Sequence, residues 1–121
     1  MKVMLAKEYA KGMNGQKKDN TEFALPPLGW YMSEKFDGYR CVTYYNESGD
    51  IVFMSRASKE FNVSEWFKKA MPQNKLLKGL CLDGELWAGR ENFQMMGAAR
   101  KKVPVDEEWL NIKYYVYDIT N

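Results

Sequence analysis

Four short strand-like stretches set the limits on what this chain can build. They are Tyr39–Tyr45 (YRCVTYY), Ile51–Met54, Leu80–Trp87 and Ile112–Ile119. The first, second and fourth are rich in β-branched and aromatic residues, which fit a pleated, half-buried surface better than a helix, and in the third Leu80, Leu82 and Leu86 lie on the face opposite Asp83 and Glu85. Ser48-Gly49-Asp50 is a turn between the first two stretches, so they are expected to form a hairpin. Trp30–Glu34 also alternates and is expected to be a strand, led in by the rigid Leu25-Pro26-Pro27-Leu28-Gly29. Lys11–Glu22 is polar with two glycines and reads as a loop.

Two short helices are expected between the strands. Asn62 and Glu65 have the spacing of a capping box, Trp66, Phe67, Ala70 and Met71 share one face, and Pro72 blocks continuation. A second helix is expected over Asn92 to about Lys102. Phe93, Met96 and Arg100 follow helical spacing, Arg100, Lys101 and Lys102 suit the negative end of the helix dipole, and Pro104 follows. Trp66, Phe67, Phe93, Met95 and Met96 are expected in the core. The fold class is α+β: a largely antiparallel sheet with short covering helices. At 121 residues the chain holds one domain or part of one.

Composition removes several chemistries. With no histidine, Ser-His-Asp triads, Cys-His dyads and His-based metal sites are excluded. Cys41 and Cys81 are too few for a zinc site and, lying in apolar segments, are expected to be buried reduced thiols, which suits the cytosol. The net charge of +2 comes from nine basic and eight acidic residues in each half, so bulk charge neither requires nor excludes a nucleic-acid partner. The paired lysines 17/18, 68/69 and 101/102 read as solvated surface. No apolar run approaches the ~20 residues of a membrane span, and Glu8 and Lys11 interrupt the start before a signal-peptide core can form. A cytoplasmic protein is expected.

The stretch Ser33-Glu34-Lys35-Phe36-Asp37-Gly38-Tyr39-Arg40 gathers four charged groups about an Asp-Gly element. On its own, Asp-Gly is a common hairpin turn with solvated charges. The wider Lys-x-Asp-Gly-x-Arg pattern resembles motif I of the covalent nucleotidyltransferases, the polynucleotide ligases and mRNA capping enzymes. Ser55-Arg56 then resembles motif Ia, Leu82-Asp83-Gly84-Glu85-Leu86-Trp87 motif III, and Tyr115-Val116-Tyr117-Asp118-Ile119 motif IIIa. Leu-Asp-Gly-Glu-Leu-Trp, with Gly89-Arg90 and Phe93-Gln94 after it, looks most like compact ATP-dependent DNA ligases of bacterial and viral type, as does the opening Met4-Leu5-Ala6-Lys7. There is no Glu-Gly pair of motif IV and no Lys-x-Lys of motif V. The resemblance therefore implies residues 1–121 as a partial adenylation domain, with an incomplete ATP-grasp-like DNA ligase core and no oligonucleotide-binding domain.

That resemblance implies ATP and Mg²⁺ as cofactors and nicked duplex DNA as the partner of the complete enzyme. Lys35 is the implied nucleophile, attacking the α-phosphorus of ATP to form lysyl-AMP. A lysine amine in water has a pKa of about 10.4, so it must be activated by desolvation, nearby cations or a metal. Arg40 and Arg56 are implied contacts to sugar and phosphates. Glu85 is implied to serve the ribose hydroxyl or Mg²⁺, and strand spacing puts Asp83 on its face. Asp37 either orients the amine or opposes its activation, and Asp83 supports the turn. Tyr117, sharing a strand face with Lys113 and Tyr115, is implied to stack on adenine, and Glu34 to contact the base. Two alternatives share these residues: an RNA ligase or capping-type guanylyltransferase, and a non-catalytic nucleotide- or DNA-binding fragment. Half a domain leaves strand edges unpaired, so self-association or marginal stability is expected.

Overall fold

A computed structural model of the chain describes Met4, Leu5 and residues 28–121. The chain divides into two compact units, Met1–Glu34 and Lys35–Asn121. In the first, the described residues are exposed, and Leu28-Gly29 form a turn with Gly29 at φ 87°. Trp30–Glu34 is not a strand. Alternation makes a strand only where a neighbouring edge supplies a ladder of hydrogen bonds, and among the described residues no strand pairs with this segment. The expected loop Lys11–Glu22, Leu25 to Pro27, Ala6, Lys7, Lys17 and Lys18 lie outside the described residues.

In the second unit the elements are β1 (Tyr39–Tyr45), β2 (Ile51–Ser55), α1 (Glu65–Lys69), α2 (Asn74–Leu77), β3 (Cys81–Trp87), a 3-10 helix (Phe93–Arg100), α3 (Asp106–Trp109) and β4 (Lys113–Thr120). The strands form one antiparallel sheet in the order β2-β1-β3-β4. This is a small α+β domain, and its four strands fall where side-chain type placed them. Its β1–β2 connection turns at Gly49, φ 83°, and Asn46 closes the loop by accepting the Gly49 and Asp50 amides.

One face of the sheet carries the core. Cys41 and Leu86 lie on it with Phe53, and the helices cover them with Phe67, Met96, Ala98, Ala99 and Trp109. Phe67 meets Trp109 and Phe53 edge-on, at centroid distances of 5.1 and 6.0 Å. Tyr114 stands on the same face, and its hydroxyl donates toward the Cys41 and Leu82 carbonyls at 2.8 and 3.0 Å. Burial pushes this phenol well above the tyrosine range. Cys41 is buried, Cys81 is half-buried, and both are free thiols.

The helices differ from expectation in their ends and type. The first is capped by Ser64, not Asn62; the Ser64 carbonyl accepts the Phe67 and Lys68 amides, but its side chain makes no capping hydrogen bond. Its hydroxyl donates instead to Asp106 Oδ1 at 2.5 Å, while Trp66 Nε1 donates to the Asp106 carbonyl at 3.2 Å. A residue distant in sequence thus takes the capping hydroxyl and ties α1 to α3. The second is a 3-10 helix. Phe93, Met96 and Ala99 recur every three residues, which aligns them in a helix of three residues per turn, and Gly97 disfavours the α form. Phe67 and Met96 are buried as expected, whereas Trp66, Phe93 and Met95 remain partly exposed. α2 and α3 were not expected: four residues are too few to show a helical period. Among the described residues no helix is long and apolar enough to cross a membrane.

Candidate functional site

The other face of the sheet is built around β1 and β3. Their register sets Arg40 opposite Glu85 and Val42 opposite Asp83, so Arg40, Asp83, Glu85 and Trp87 share a face. This pairing requires close backbones. A Cβ on Gly38 would lie 2.1 Å from the Leu86 carbonyl oxygen, and one on Gly84 would lie 2.3 Å from that of Tyr115. Gly38 is not among the left-handed glycines. The glycine in Asp37-Gly38 is there for proximity, not for the tight turn its dipeptide suggests.

Arg40 reaches diagonally past Glu85 to Asp83. Its Nε donates to Oδ1 at 2.8 Å and its Nη2 to Oδ2 at 2.5 Å, in a paired geometry that is largely shielded from water. Asp83 is thus a mid-strand partner of Arg40 and supports no turn. The pair raises the guanidinium pKa further, against the opposing effect of burial. Tyr117 flanks it, with the guanidinium carbon 5.5 Å from the ring centroid. The β3–β4 register slips between Asp83 and Gly84: Asp118 faces Asp83, Val116 faces Gly84, and Tyr117 is the extra residue of a bulge. Partial burial and the Asp83 charge raise the Tyr117 phenol.

Glu85 Oε2 accepts the Gly38 amide at 3.2 Å. Burial raises its carboxyl above the ordinary range; the Gly38 amide, Arg40 and Lys35 act against that rise, and Asp37 adds to it. Lys35 and Asp37 are exposed and within electrostatic reach of Glu85. Phe36, between them, stacks on Trp87 at 4.3 Å and 20°, and meets Tyr115 at 5.0 Å.

The structure thus gathers Lys35, Arg40, Glu85 and Tyr117 at the β1–β3–β4 end of one face. Arg56 is exposed, one residue beyond Ser55, which pairs with Cys41. It stands at the same end of the sheet, and among the described residues no ion pair or hydrogen bond joins it to Lys35, Glu85 or Tyr117. Glu34 belongs to the N-terminal unit and is exposed. An open hollow lined by Tyr45, Asn46, Lys75 and Lys78 lies at the opposite end of β1.

The donor set suits a cation only in part. Among the described residues no group of three acidic or thiol side chains converges on a point. Asp83 is engaged by Arg40, so Glu85 is the carboxylate that fits. One carboxylate is enough for Mg²⁺ only when phosphates and water complete its shell.

Sequence reasoning placed Glu85 and Asp83 on one face but missed the Asp83–Arg40 pair and the Phe36–Trp87–Tyr115 cluster. Strand alternation of Asp83, Glu85 and Trp87 was the available signal for both. No protein-family model matches the chain. A curated DNA ligase from Haemophilus influenzae is 31% identical to it over 94 residues, which are 78% of this chain and 31% of that ligase. The chain therefore spans about a third of the length of this relative. The match supports a DNA ligase-like relationship.

Proposed function

We propose that the chain carries the nucleotide-reactive part of the adenylation domain of an ATP-dependent DNA ligase, with nicked duplex DNA as the substrate of the whole enzyme. The observation that carries this reading is the register of β1 against β3, which sets Lys-x-Asp-Gly-x-Arg beside Asp-Gly-Glu. Gly38 of the first segment donates to Glu85 of the second. The likeness to a DNA ligase favours this chemistry over capping or RNA joining.

In the reaction the Lys35 amine, once deprotonated, attacks the α-phosphorus of ATP. An N–P bond forms, the bond from the α-phosphorus to the bridging oxygen breaks, pyrophosphate leaves, and the amine proton passes to water. Arg40 and Arg56 contact sugar and phosphates, Glu85 the ribose hydroxyl and Tyr117 the adenine face. Glu85 would also hold Mg²⁺ together with the phosphates; bound there, it offsets their negative charge. Asp83 keeps Arg40 extended across the sheet, so the guanidinium needs little reordering when a nucleotide arrives.

Intact-mass analysis after incubation with ATP and Mg²⁺ tests the nucleophile: one AMP is expected on the wild-type chain and none on Lys35→Ala. The same variant is expected to keep its stability within about 0.5 kcal/mol, since the side chain is exposed. Nucleotide binding tests the pocket. A folded chain showing no ATP-dependent NMR shifts around Lys35 and Glu85 would overturn the reading.

A further inference from the structure

Lys35 occupies an exposed position with no regular secondary structure, at the first residue of its unit. A lysine amine sits on a flexible four-carbon stem, so it reaches a fixed target reproducibly only if its backbone is held. Two contacts after Lys35 could hold it. One is the Gly38 amide on Glu85, three residues on. The other is immediate: the Phe36 ring lies nearly parallel to Trp87 and tilted at 52° to Tyr115, while Trp87 and Tyr115 meet each other at 5.4 Å and 68°. Three rings from the loop, β3 and β4 thus form one closed contact beside Glu85.

We propose that Phe36 is a positioning residue: seated against Trp87 and Tyr115, it pins the Lys35 loop to the sheet and so presents the lysine amine to the nucleotide. Consecutive Cα atoms are 3.8 Å apart, so an anchored Phe36 leaves Lys35 little room to wander. Without the ring, the next anchor is Gly38, and roughly 10 Å of chain is released. Nucleophilic attack needs the reacting atoms about 3–3.5 Å apart, so loosening of this kind acts on the reaction rate rather than on ATP affinity. The catalytic consequence rests on the ligase reading; the anchoring does not.

The whole 121-residue chain serves for the test. In single-turnover adenylylation followed by intact mass, Phe36→Ala is expected to slow lysyl-AMP formation about a hundredfold, with ATP affinity by calorimetry within about twofold. Phe36→Tyr, which keeps the ring, is expected to restore the rate. Amide hydrogen exchange gives a readout that needs no ATP. Phe36→Ala is expected to speed exchange of the Gly38 amide about tenfold while the β1–β2 amides keep their protection. Trp87→Leu removes the other half of the stack from a different strand and is expected to do the same. Unchanged Gly38 exchange in both variants overturns the proposal, as does wild-type adenylylation speed in Phe36→Ala. A chain that binds no ATP, yet whose Gly38 exchange depends on Phe36 and Trp87, sinks the ligase reading and upholds the anchor.

Discussion

The two faces of the sheet are held by different physics. On the helix-covered face, Cys41, Phe53 and Leu86 meet Phe67, Met96 and Trp109 through apolar burial, which is non-directional and tolerates some change of shape. On the other face, Arg40, Asp83, Glu85 and the Gly38 amide meet through hydrogen bonds and ion pairs that need fixed distances. The first face is held by burial and the second by geometry. The two also share parts. Gly38 and Gly84 set the spacing of the strands that both faces stand on.

The sharpest way to separate the faces is to damage each in turn. Trp109 is completely buried, and Trp109→Ala is expected to cost about 3–5 kcal/mol in urea unfolding. If the two faces are held independently, any part of that variant still folded at low temperature keeps the Arg40–Asp83 pair. Asp83→Ala takes the bidentate partner from a shielded guanidinium, with an expected loss of about 1.5–3 kcal/mol. In a nucleotide titration the same change is expected to weaken binding as well, which no substitution on the helix-covered face should do without unfolding the chain. Gly38→Ala tests the shared backbone. Its methyl group has no space beside the Leu86 carbonyl, so a loss of about 1–3 kcal/mol is expected, with faster exchange of the β1–β3 amides.

The smallest effect is in pH dependence. Burial holds the Glu85 carboxyl above its ordinary value of 4.5, so the folded chain binds that proton more tightly than the unfolded chain. The stability this contributes is fully present below the unfolded pKa and is lost as pH rises through the raised folded pKa. Glu85→Gln is expected to flatten that decline in urea melts run between about pH 4 and 7. A wild-type stability that rises across the same window would show that the Gly38 amide and Arg40 outweigh the burial.

Strand positions were legible in the sequence because they rest on local properties. β-Branched and aromatic residues in Tyr39–Tyr45 and Lys113–Thr120 fit a pleated surface wherever their partners lie. The order of Lys35-x-Asp-Gly-x-Arg40, Arg56, Asp83-Gly84-Glu85 and Tyr117 was equally plain. Trp30–Glu34 shows the limit: it has the alternation, but among the described residues no strand pairs with it.

What the chain's own letters determined, then, was the set of strands, the apolar side chains that could form a core, and the segments that bear its chemistry. Tertiary structure alone decided which charges meet. Arg40 takes Asp83 rather than the directly opposite Glu85, because a long side chain reaches the diagonal neighbour and a bulge brings Tyr117 to flank it. The Ser64 hydroxyl donates to Asp106's carboxylate rather than to its own helix end, and Phe36 finds Trp87 and Tyr115 on two separate strands. These contacts join residues about 40 to 80 positions apart, and their energies depend on distances that no local pattern encodes.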